Sequence, residues 1–140
     1  MSKVSTEQAL NVPAEKVWSL IGNFNALPQW HPAVESSELS EGGTIRTLSL
    51  VGGGQIIEKL EKIQEGVFEY SYSIVDSPLP VSNYTSTLRI KQGDDDNSCV
   101  VEWGGSFNPA SGASASEAEN AIMGIYQAGF ENLKKIFNMP

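Results

Sequence analysis

One cysteine and one histidine stand in 140 residues. Cys99 alone excludes an internal disulfide framework, and with a single His31 there is no Cys/His zinc cluster. Positive charge is scarce: 9 Lys and Arg face 17 Asp and Glu, a formal charge of -8. A chain of that sign repels phosphate backbones and anionic lipid surfaces, which argues against a nucleic-acid partner and a polybasic membrane role. No apolar run approaches the roughly 18 residues of a membrane-spanning helix, and the opening MSKVSTEQAL lacks the apolar segment of a secretory signal. The expectation is a soluble cytoplasmic protein, one domain over residues 1–140, without stable membrane insertion. It is expected to be a monomer or a homodimer.

Two further motifs are missing. Gly52 to Gly54 form a glycine triplet, but no helix and no Gly-Lys-Ser/Thr follows, so it is not a phosphate loop. The three aspartates of QGDDDNS (Gln92 to Ser98) lack the ligand spacing and late glutamate of a calcium loop, and they read as a solvated turn. No cofactor and no metal are expected.

What is present is alternation. Runs at Val4 to Val12, Thr44 to Val51, Gln55 to Gln64, Val67 to Val75, Val81 to Lys91 and Cys99 to Phe107 read as strands, with Glu35 to Leu39 as a further extended segment. Short connections favour an antiparallel meander. Pro13 and Glu15 open a first short helix that Gly22 ends; NFNALPQWHPAV, broken by Pro28 and Pro32, reads as a second short helix and a turn. A long amphipathic helix follows the strands. Ser116 and Glu119 suggest its capping box, and Ala118, Ile122, Ile125, Tyr126, Gly129, Leu133 and Ile136 form its apolar stripe. Lys134 and Lys135 suit the negative end of its dipole. The order implies an α+β fold: six to seven antiparallel strands curved around one long C-terminal helix, with two short helices after the first strand. Space between a curved sheet and a helix is an ordinary ligand site.

Two strands carry an anomaly. Arg46 shares a face with Thr44, Leu48 and Leu50, and Glu58 shares one with Ile56 and Leu60. Burying one unpaired charge costs several kcal/mol, so an inward placement requires the two to meet each other or a ligand. Adjacent antiparallel strands joined by VGGGQ allow that meeting. A bulge at the glycines would instead turn both to water. Phe68, Tyr70, Tyr72 and Trp103 share an aromatic inner face, which reads as core or as the wall of a partly polar cavity. Ile122 and Tyr126 would close it from the long helix, and Trp30 would pack beneath the short helices or guard a mouth. His31 reads as structural or as part of a rim, and Cys99 as a small apolar residue.

The element order, the run NVPAEKVWSLIGNFNALPQWHPAV and the long last helix resemble the START-like, Bet v 1-like helix-grip superfamily, and within it the polyketide cyclase/dehydrase branch. Arg46, the Glu-Lys-Leu at Glu58, Tyr72 and Tyr84 are similar to the pattern in plant lachrymatory factor synthases. That resemblance implies Glu58 as acid/base, Arg46 as anchor for an anionic group and Tyr84 as a hydrogen-bond donor. It implies a small apolar or lipid-like ligand with a polar head, either processed by proton transfer (isomerisation, dehydration or cyclisation) or carried unchanged.

Overall fold

The computed structural model describes residues 2–137. Seven strands, β1 (Ser2–Leu10), β2 (Val34–Ser40), β3 (Ile45–Leu50), β4 (Gln55–Gln64), β5 (Glu69–Asp76), β6 (Val81–Gln92) and β7 (Cys99–Pro109), form one antiparallel sheet in the order β1-β7-β6-β5-β4-β3-β2. Two short helices, α1 (Ala14–Ile21) and α2 (Leu27–Trp30), join β1 to β2, and α3 (Ala115–Ile136) follows β7. This is the expected α+β helix-grip arrangement. The one connection that is not a meander step puts β1 beside β7, and α3 packs against both.

Local chemistry sets the ends of these elements. Pro13 is the N-cap of α1 rather than its first helical residue, with an extended ψ of 143°. Ala14, Val17, Trp18 and Ile21 give α1 its buried face. The helix stops at Gly22, where any side chain would collide with the Trp18 indole.

The cap of α3 also differs from expectation. Ser114, not Ser116, accepts the backbone N–H of Glu117 at 3.0 Å. Two Ser-x-x-Glu patterns overlap here, and the earlier one wins because Ser114 is the residue that keeps an extended backbone. The buried stripe of α3 is Ala118, Ile122, Tyr126, Gly129, Phe130 and Leu133. Phe130 replaces Ile136, which is 39% exposed at the last turn.

The β3–β4 turn settles the opposing readings of Arg46 and Glu58. Gly52, Gly53 and Gly54 have φ of 89°, 107° and 97°, conformations that side chains resist, so the glycines make the turn itself. The ladder beyond it is unbroken and puts Arg46 directly opposite Glu58. The register shifts fall on the other side of β4, between Ile57 and Glu58 and between Leu60 and Lys62.

Candidate functional site

A cavity of about 220 Å³ lies between the concave face of the sheet and α3. Leu48 and Leu50 from β3, Ile56 and Glu58 from β4, Tyr72 and Ile74 from β5, Tyr84 from β6 and Trp103 from β7 form its sheet side. Ile122 and Ile125 line it from α3, Leu27, His31, Ala33 and Val34 from the α2–β2 region, and Leu79 from the β5–β6 loop. Its surface is almost wholly apolar.

The polar end is the Arg46–Glu58 pair. Arg46 is 1% exposed; its Nε donates to Glu58 Oε1 at 2.8 Å, and its Nη2 lies in an ion pair with the same oxygen at 2.7 Å. Its Nη1 donates to the Phe24 carbonyl at 2.6 Å. The guanidinium is sandwiched, 4.1 Å from the Phe24 ring centre and 5.1 Å from that of Tyr72. Both contacts to Glu58 therefore use one carboxylate oxygen. Oε2 has no protein donor among the described residues and belongs to a residue of the cavity wall. Burial pushes the Glu58 carboxyl above its ordinary value, with Arg46 pulling part of that back. Arg46 is held in its charged form by Glu58 despite burial.

A second polar feature runs through the wall. Trp103 Nε1 donates to the Tyr72 hydroxyl at 3.0 Å, Tyr72 meets Tyr84 at 3.3 Å, Tyr84 meets Tyr126 at 2.5 Å, and Tyr126 meets Ser86 Oγ at 2.9 Å. Ser86 donates to the Gly104 carbonyl at 2.9 Å. Burial raises the pKa of Tyr72, Tyr84 and Tyr126, the last to about 12, so all three phenols are neutral at physiological pH. Gly105 leaves room for this chain, since a Cβ there would stand 2.5 Å from the Tyr126 hydroxyl.

His31 is buried and ties two elements together. The Ala33 N–H donates to Nδ1 at 3.2 Å, so the ring's own hydrogen sits on Nε2 and donates to the Ile125 carbonyl of α3 at 2.8 Å. Burial lowers its pKa and keeps it neutral. It is structural, as one of the two sequence readings had it, and it also lines the cavity.

The residues singled out from sequence divide sharply. Glu58, Tyr72, Tyr84, Trp103 and Ile122 meet at the cavity wall. Arg46 stands behind Glu58, closed off from the cavity, and its three nitrogens are engaged by protein. It is thus not presented to an incoming anion, against the expectation. Tyr126 sits behind Trp103, stacked at 4.4 Å between ring centres. Tyr70 packs against Phe24 and Tyr72. Trp30 packs on Trp103 at 5.4 Å, and its buried Nε1 meets no acceptor among the described residues. Phe68 departs furthest: its φ of 52° takes it out of the strand's alternation, and its ring stacks on Trp18 at 5.6 Å. Leu48 and Ile56 entered the sequence reading only as apolar neighbours of Arg46 and Glu58, and the walls at Ile74 and Leu79 and the anchor at Ser86 escaped it. Ser86 shares the alternate face of Tyr84 and Leu88, and that was the signal available for it.

The family described as polyketide cyclase / dehydrase and lipid transport has a model that matches residues 1–138. The protein XoxI of Bacillus cereus superposes with a TM-score of 0.95 at 42% identity, over 98% of this chain and 96% of that one. A START superfamily protein from Mycobacterium smegmatis superposes with a TM-score of 0.73 at 14% identity, over 96% and 98% of the two chains, a likeness of fold alone. A class 10 plant pathogenesis-related protein 2E of Lupinus luteus is 41% identical over 71 residues, which is 45% of either chain, so the match spans less than half of that relative. No helix among the described residues is long and apolar enough to cross a membrane.

Proposed function

The chain belongs to the polyketide cyclase/dehydrase and lipid transport family, and from that membership we propose that it takes a small, largely apolar molecule with a polar head into the cavity beneath α3, with Glu58 positioned to move a proton on it. One observation carries the reading: Glu58 is a buried carboxylate on the wall of an apolar cavity, bound to Arg46 through one oxygen, with no protein donor to the other among the described residues. Burial that raises its pKa makes it a stronger base than an ordinary carboxylate. Having taken a proton from one atom of the ligand, it returns that proton to another, which suffices for isomerisation, dehydration or cyclisation. Arg46 serves as the positioning residue. It fixes the carboxylate rotamer and supplies the counter-charge that lets a carboxylate exist there at all.

A carrier or sensor is the second reading, and one observation favours it. Apart from Glu58, no titratable side chain of the described wall is placed to exchange a proton with a ligand: the tyrosines are pushed up by burial, and His31, lowered by burial, is held neutral in a hydrogen bond to α3. The two readings separate when the purified protein is incubated with an extract of small molecules and the mixture is followed by chromatography and mass spectrometry. An enzyme depletes a compound well beyond the protein concentration and a new peak appears, detectable by retention even when the product is an isomer. A carrier retains an unchanged compound at a fixed ratio to protein. Neither depletion nor retention of any compound would contradict both.

A further inference from the structure

The direction of every hydrogen bond in the tyrosine chain is determined, and the outcome restricts what the cavity binds. An indole N–H only donates, so Tyr72 accepts from Trp103. At the far end a carbonyl only accepts, so Ser86 spends its hydrogen on Gly104. Each hydroxyl has one hydrogen. Ser86 must therefore accept from Tyr126, Tyr126 from Tyr84, and Tyr84 from Tyr72. No link can be reversed without leaving a buried group unpaired.

The other polar side chains of the wall are equally committed. The His31 hydrogen goes to the Ile125 carbonyl, and its second nitrogen accepts from Ala33. Glu58, as the carboxylate partner of Arg46, has no hydrogen to give. Trp30 Nε1, a buried donor with no acceptor among the described residues, belongs to a ring that is not on the cavity wall. What remains free toward the cavity is acceptor capacity: Glu58 Oε2 and the spare lone pairs of the tyrosine oxygens.

Building on the cavity reading above, we infer that this site selects ligands whose polar head donates hydrogen bonds, such as an alcohol, an enol or a protonated amine, and discriminates against carboxylates and phosphates of the same apolar body. A donor head satisfies Glu58 Oε2. An anionic head finds no hydrogen on the wall, stays unsolvated and faces the charge of Glu58.

Three probes of matched chain test this: 1-hexanol, hexylamine and hexanoate. Each is close in size to the roughly 7 water-sized groups that the 220 Å³ cavity holds at roughly 30 Å³ per water. The full chain is titrated with each at about pH 8, well above the ordinary carboxylate range. Two-dimensional NMR follows the Trp103 indole N–H and the side-chain signals of Leu48 and Ile122. Hexanol and hexylamine are expected to bind at least about 10-fold more tightly than hexanoate, a difference of about 1.4 kcal/mol. Tyr84→Phe strips Tyr72 of its acceptor and so frees one hydrogen toward the cavity; it is expected to narrow the preference by strengthening hexanoate. Hexanoate binding as tightly as the alcohol, with the same cavity signals moving, would overturn the donor preference and leave the cavity standing as a ligand site. If none of the three moves those signals, both the preference and the cavity reading fall.

Discussion

Replacing Arg46 with methionine keeps most of the side chain's apolar stem and removes its charge. The variant loses a hydrogen bond to Glu58 Oε1 at 2.8 Å, the ion-pair contact to the same oxygen at 2.7 Å, and a hydrogen bond to the Phe24 carbonyl at 2.6 Å. Those losses alone are modest, because unfolded groups bond to water. The larger effect is the carboxylate left behind, whose side chain is only 8% exposed. Breaking a buried pair from one side costs about 3–5 kcal/mol, a large share of a typical total stability of about 5–15 kcal/mol. Arg89→Met is the natural comparator. Its pairs to Glu102 and Glu69 lie at the surface with the arginine 46% exposed, so its loss costs at most about 1 kcal/mol.

The sign of the pH dependence follows from Glu58. Its folded pKa is raised, so the folded state holds that proton more tightly than the unfolded state does. The associated stability is full below the unfolded value near 4.5 and is lost as pH rises through the folded value. Without Arg46 the folded pKa climbs further, so the deficit of Arg46→Met relative to the parent grows with pH. Urea unfolding followed by circular dichroism at pH values from about 4 to 8 reads this directly as a shift in midpoint. The double variant Arg46→Met/Glu58→Leu, with no charge left to bury, should recover most of the loss. A deficit in Arg46→Met below about 1 kcal/mol that does not change with pH would refute the argument, since it would mean that water reaches the pair.

Other substitutions probe the remaining parts. Ser114→Ala should cost about 1 kcal/mol by thermal unfolding, whereas Ser116→Ala should change little, because only Ser114 caps α3. Gly105→Ala would push a methyl against the Tyr126 hydroxyl and the Thr85 carbonyl; about 1–3 kcal/mol of destabilisation is expected, with altered tyrosine fluorescence as the chain is displaced. His31 has a lowered folded pKa, so its contribution is present above its ordinary value of 6.5 and is lost as pH falls through the folded value. His31→Gln should flatten that part of the stability profile in the same urea assay.

The fold was legible because its determinants are local and repeated. The alternation in Gln55–Gln64 predicted β4 with its observed ends, and the apolar stripe predicted α3 to within a residue or two. Arg46 and Glu58 were legible as a pair because a charge in line with apolar neighbours needs a partner, and the three glycines made the turn that brings one opposite the other. The misses share a physical cause, which is that periodicity does not report backbone exceptions or depth. Phe68 fits the alternation of β5 in sequence, yet a left-handed backbone at that residue sends its ring to Trp18. Tyr70, Trp30 and Tyr126 point inward as expected but lie beneath the wall instead of on it, a difference that depends on how rings pack in three dimensions. The tyrosine chain joins side chains of three strands, β5, β6 and β7, to α3, a set of long-range partners that no spacing rule brings together.

The central claim is that Glu58 meets a ligand in the cavity and moves a proton on it. The direct test takes a compound that the parent protein consumes and offers it to Glu58→Gln, measuring consumption by chromatography and occupancy by the NMR signals of Trp103 and Ile122. The account predicts that consumption stops while the compound still binds in the cavity. Consumption at the parental rate by a correctly folded Glu58→Gln would contradict it.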